Sequence, residues 1–156
     1  MASTDTNSKE VIGVLNDLIE TSKDGEEGFK ECAENVERSY LKTLLKERAR
    51  ECKTAATELQ TIVQRLGGTP EDSASATGSL HRRWTELKAT LTGKSEQAVL
   101  DECERGEDVA KKSYKEALEN QVLPPDIRAV VERQYHLVLR NHNQVKALRD
   151  ADKRAR

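Results

Sequence analysis

The stretch GGTPEDSASATGSLHRRWTELKATLTGK, running from Gly67 to Lys94, decides the fold. Gly67-Gly68 ends a helix, and Thr69-Pro70-Glu71-Asp72-Ser73 through Gly78 reads as the one clear loop of the chain. Beyond it, Leu80, Trp84, Leu87 and Leu91 fall on one side of a short amphipathic helix that Thr92-Gly93 closes. The neighbouring links are much shorter. Upstream, a helix running to about Val36 meets one that Ser39 caps; downstream, Pro124-Pro125 interrupts two helices and pre-sets the first turn of the second. Links this short make each flanking pair an antiparallel hairpin. The long link, at about 1.5 Å per helical residue, reaches across a bundle roughly 35–40 Å long and lets the third long helix run parallel to the second.

Each long helix carries an apolar stripe at helical spacing. In the first, after an Asn7/Glu10 capping box, the stripe is Val11, Val14, Leu15, Leu18, Ser22, Gly25, Phe29, Cys32, Ala33 and Val36. In the second it is Leu41, Leu44, Leu45, Arg48, Cys52, Ala55, Leu59, Ile62, Val63 and Leu66. Ser95 caps the third, with Val99, Leu100, Cys103, Glu107, Ala110, Tyr114, Ala117 and Leu118; the last presents Ile127, Val130, Val131, Gln134, Val138, Val145 and Leu148. Alternating apolar runs are missing, so no strand is predicted. The expectation is an all-α, ferritin-like four-helix bundle of two antiparallel hairpins joined by a long crossover that contains a short helix. In residue terms it comprises a disordered tail over 1–6, one domain over 7–151 with its crossover at 67–94, and a basic tail over 152–156.

Composition removes several function classes. Apolar and charged residues each make up 35%, and 26 basic against 28 acidic residues leave a net charge of −2. Binding driven by bulk positive charge, to nucleic acid or an anionic membrane, is therefore not expected. Phe29, Tyr40, Trp84, Tyr114 and Tyr135 are too few for a base-stacking platform. No stretch is long and apolar enough to insert in a membrane, and the N-terminus lacks a secretory pattern. Cys32, Cys52 and Cys103 are odd in number and widely spaced, which reads as buried reduced thiols in a cytoplasmic protein. No phosphate-binding glycine loop or nucleophile–base arrangement can be assembled.

The polar residues on the stripes are the candidate site. Arg48 and Glu107 lie near their stripe centres, Ser22 and Gln134 close to theirs, and together they predict a buried polar layer that fixes helix register. Such charges need partners, and Arg48 with Glu107 is the predicted pair. The guanidinium then fills the space and charge role of a metal. Di-iron bundles use Glu-x-x-His on two helices, and neither such histidine is present; Glu132 and His136 sit four apart on the water-facing side. The alternative is a degenerate site for iron, manganese or zinc built from Glu26, Glu107 and His142, with Glu51 joining. The run Asp101, Glu102, Glu104, Glu107 and Asp108 reads as a charged outer face in which only Glu107 turns inward. His81-Arg82-Arg83 beside Trp84, and the C-terminal Lys146, Arg149, Lys153, Arg154 and Arg156, read as solvated charge.

Four segments together resemble one bacterial family: LNDLIETSKDGEEGF (Leu15–Phe29), LHRRWTELK (Leu80–Lys88), ECERGEDVAKKSY (Glu102–Tyr114) and NHNQVKALRD (Asn141–Asp150). It is domain-of-unknown-function family 2383, and the ERGED segment is the most specific piece. The resemblance implies a ferritin-like fold and neither an assigned activity nor catalytic residues. The expected function is accordingly non-enzymatic: a structural or protein-interaction bundle, with no cofactor. Ile12, Ile19 and Leu139, outside the stripe centres, suggest a homo-oligomer. A metal-binding or oxidative bundle using the Glu26, Glu51, Glu107 and His142 set is the alternative.

Overall fold

The computed structural model describes residues 2–70 and 95–155, with side chains over 8–70 and 95–151. Four long helices account for nearly all of it: α1 (Ala2–Glu34), α2 (Ser39–Arg65), α3 (Glu96–Glu119) and α4 (Pro125–Ala155). No strand occurs among the described residues. The short helix expected around Leu80–Leu91, with His81, Arg82, Arg83 and Trp84, lies outside them.

Local chemistry sets the helix ends. Ser95 caps α3, its hydroxyl accepting from the Ala98 amide at 3.2 Å. Gly67 takes φ +81 past the end of α2, while its amide and that of Gly68 donate back to Gln64 and Val63. Ile12 closes over this turn, and a Cβ on Gly68 would come within 2.7 Å of it. The expected Ser39 cap is replaced. Arg38 holds the cap position without a side-chain capping bond; its guanidinium and its amide, with the Glu37 amide, donate to the Glu96 carboxylate at 2.6, 2.9 and 2.7 Å. That tie places the α1–α2 turn at the start of α3. Helix also extends further than the capping signals suggested: α1 starts ahead of Asn7 and α4 passes residue 151, because neither end carries a Pro or Gly to stop it.

Packing gives the order up, down, down, up. α1 lies against α2 and α3, while α4 lies against α3 and, more thinly, α2. One apolar core joins Phe29, Cys32 and Val36 to Leu41, Leu45, Val99, Leu100, Cys103 and Val145. A second joins Leu15, Leu18 and Ile19 to Leu59, Val63, Tyr114, Ile127 and Val131. The end of α1 thus meets the starts of α2 and α3 and the end of α4, so α2 and α3 are parallel. The chain leaves α2 at one end of the bundle and enters α3 at the other. Residues 66–95 join those two ends; the path of 71–94 lies outside the described residues.

Of the residues read as apolar surface for self-association, Ile19 is fully buried in the second core and Ile12 packs over Gly68. Leu139 is half-buried, and Tyr40 is the exposed large apolar side chain among the described residues.

Candidate functional site

Between the two apolar cores lies a polar layer. Ser22, Glu26, Arg48, Glu107, Gln134, Asn141 and His142 are all buried in it or at its margin. Two hydrogen-bonded groups and one carboxylic acid make up most of its chemistry.

The first group is built on Arg48, which is 8% exposed. Its Nη1 donates to Glu51 Oε2 at 2.7 Å and to Asn141 Oδ1 at 2.5 Å, and Nη2 donates to Gln144 Oε1 at 2.9 Å. Asn141 Nδ2 closes the ring by donating to Glu51 Oε2 at 2.7 Å. The cation is therefore neutralised from its own helix and clamped by two amides of α4. This corrects the predicted Arg48–Glu107 pair. Glu51, three residues along α2, shares a helix face with Arg48 and takes the guanidinium before a carboxylate on α3 can.

Glu107 is left in an apolar setting. It is 5% exposed, and its Oε1 has no hydrogen-bond partner. Burial pushes its carboxyl up to about 8, against the pull of Arg48 and with the help of Asp108 and Glu51. At neutral pH it is a neutral acid. The same charges surround Cys52, whose thiol is pushed up to about 12 by burial and then by Glu107, Glu51 and Glu26. Arg48, Glu51, Cys52 and Glu107 help to line a cavity of about 60 Å³, room for more than one water.

The second group runs across the bundle. Tyr114 Oη donates to Gln134 Oε1 at 2.8 Å and meets Ser22 Oγ at 3.3 Å. Gln134 Nε2 donates to Glu58 Oε1 at 2.7 Å, and Arg133 holds the other oxygen of Glu58. Four helices are thus linked by side chains that fit together in one register. Gly25 allows α1 and α2 to approach closely beside this layer, since a Cβ there would lie 3.0 Å from Cys52 Sγ.

The residues of the alternative metal set go separate ways. Glu26 accepts from Lys30 at 2.9 Å, Glu51 is occupied by Arg48 and Asn141, and Glu107 Oε1 has no hydrogen-bond partner. His142 turns to the α3 side. Its Nε2 lies 2.7 Å from Asp108 Oδ1 and 3.8 Å from Glu104 Oε1. Among the described residues, Glu104, Asp108 and His142 form the one group of three such side chains whose donor atoms lie within 4.8 Å of one another. The acidic run on α3 therefore does more than face water: Glu104 is half-buried and pairs with Arg149 as well. Glu132 and His136 are exposed.

Sequence reasoning missed Asn141, Gln144 and Glu58 as partners, and Glu104 and Asp108 as neighbours of His142. The antiparallel register of α3 and α4 was the usable signal. The alignment that sets Tyr114 against Gln134 also sets Glu104 and Asp108 against His142, and Asp101 against Arg149.

A profile of the family described as "Domain of unknown function (DUF2383)" matches residues 10–120, and the chain belongs to that family. The match spans α1 to α3 and stops before α4, so Arg48, Glu51, Glu104, Glu107 and Asp108 lie inside it, and Gln134, Asn141, His142 and Gln144 beyond it. No curated protein matches the chain.

Proposed function

We propose that this chain is a non-enzymatic scaffold, a ferritin-like bundle whose surface contacts other proteins and whose middle holds no redox centre. The observation that carries the reading is the Arg48 guanidinium, buried in the polar layer and already neutralised by Glu51. Di-iron bundles fill that layer with carboxylates and histidines whose negative charge the ions balance. Here a permanent cation and the amides of Asn141 and Gln144 stand in the layer, and burial raises the Glu107 carboxyl to about 8. The polar groups serve instead to fix one register of four helices, a use of buried polar side chains known from coiled coils. The up-down-down-up order with one long connection is the ferritin-like arrangement. Free thiols at Cys32, Cys52 and Cys103 fit a reducing, cytoplasmic setting.

The test is aerobic oxidation of ferrous iron. The scaffold reading expects the protein to leave the rate at that of protein-free buffer. Accelerated oxidation that Glu51→Gln and Glu107→Gln both abolish would overturn it.

A further inference from the structure

We propose a binding site for a single divalent transition ion of the zinc type at the α3–α4 seam, formed by Glu104, Asp108 and His142. The site lies outside the Arg48 group and is independent of the scaffold reading.

Helix geometry builds it. Glu104 and Asp108 stand four apart on α3, so they share a face, and α4 crosses that face with His142. His142 is 6% exposed, its Nδ1 has no hydrogen-bond partner, and its Nε2 is aimed into the cluster, 2.7 Å from Asp108 Oδ1 and 3.8 Å from Glu104 Oε1. A buried Nε2 this close to two carboxylates is favourable only where a proton or a cation lies between them. An ion placed between the three side chains does so. Two donors each about 2.0–2.1 Å from a tetrahedral ion sit about 3.4 Å apart. The separations of 2.7 and 3.8 Å from Nε2 to the two carboxylates bracket that spacing.

The donor set selects the ion. One imidazole with two carboxylates suits zinc and its first-row neighbours, whereas calcium and magnesium favour oxygen alone. Two carboxylates supply the charge a divalent ion needs, and the Arg149 cation on Glu104 is offset by Asp101 and Asp150. Three protein donors leave a position for water, and the Asp108 side of the cluster is open to solvent. Arg149 on Glu104, itself close to Asp101 and Asp150, supplies the outer contact that orients a ligating carboxylate.

Titration of the full chain with Zn²⁺, and with Co²⁺ as a coloured probe, tests the site. The expected result is one ion per chain, with a cobalt spectrum of nitrogen and oxygen ligation. Asp108→Asn, at an exposed position and checked for native helicity by circular dichroism, should weaken binding by more than the roughly 10–100-fold that loss of an outer contact gives. His142→Gln, checked for native helicity by circular dichroism, should abolish it. Three results would each overturn the proposal: no uptake by the wild type at millimolar ion, a thiolate-to-cobalt band from the cysteines, or equal uptake by wild type and Asp108→Asn. None of these bears on the ferrous-oxidation result, so the two readings fail separately.

Discussion

Replacing Glu107 with glutamine removes one ionisable group from the bundle centre while keeping its size and shape. The ordinary carboxyl value of 4.5 applies to the unfolded chain, and burial carries it to about 8 in the folded one. Below about pH 4.5 both states hold the proton, so Glu107 has no linked effect on stability. Between 4.5 and about 8 only the folded state holds it; the unfolded state binds fewer protons and stability falls as pH rises. Above 8 both states are ionised and the loss is complete. Each pH unit inside the window is worth about 1.4 kcal/mol, so at pH 7 the wild type has given up about 3 kcal/mol that Glu107→Gln retains. For a chain of this length that corresponds to a Tm higher by about 6–12 °C. Urea unfolding of both proteins at pH 5, 6, 7 and 8.5 provides the assay. Curves that nearly meet at pH 5, diverge up to about pH 8 and keep that gap at pH 8.5 are expected. Parallel curves, or a glutamine variant less stable than the wild type at pH 8.5, would refute the neutral-acid assignment.

Other substitutions read the remaining parts of the layer. Arg48→Met leaves Glu51 without its cation and Asn141 without a donor, and should destabilise by about 3 kcal/mol in urea unfolding; adding Glu51→Leu should recover much of that loss. Tyr114→Phe strands Gln134 Oε1 in the interior, for a loss of about 1–3 kcal/mol in the same assay. Gly67→Ala forces a Cβ into left-handed backbone, and its Tm should fall by the equivalent of about 1–2 kcal/mol. Thiol titration with a coloured disulfide reagent at pH 8 should find Cys32, Cys52 and Cys103 almost silent until the protein is unfolded, since two are fully buried and burial raises the third to about 12.

Helix existence and topology were legible because stripes such as Leu59, Ile62 and Val63 recur at spacings of three and four, and because link lengths separate hairpins from crossovers. The ends were less legible. Ser39 resembled a cap, but the acceptor that holds the turn is Glu96, more than fifty residues away, and no local pattern announces it. The polar layer shows the same division. Stripe angles can place Arg48 and Glu107 inward, one helix at a time. They cannot choose between Glu51 and Glu107 as the partner of Arg48, because that depends on how far a guanidinium reaches along its own helix before it reaches across. For His142 the angle marks an edge position, and only the packing of α4 on α3 reveals that this edge opens toward Glu104 and Asp108.

Hydrogen exchange at the Arg48 guanidinium, followed by NMR, addresses the bundle centre most directly. Bonds to Glu51, Asn141 and Gln144 predict slowly exchanging Nη protons with through-space contacts to the amides of α4. Protons that exchange with water as fast as those of exposed Arg50, with no contact to Asn141, would contradict a cation locked between the two apolar cores.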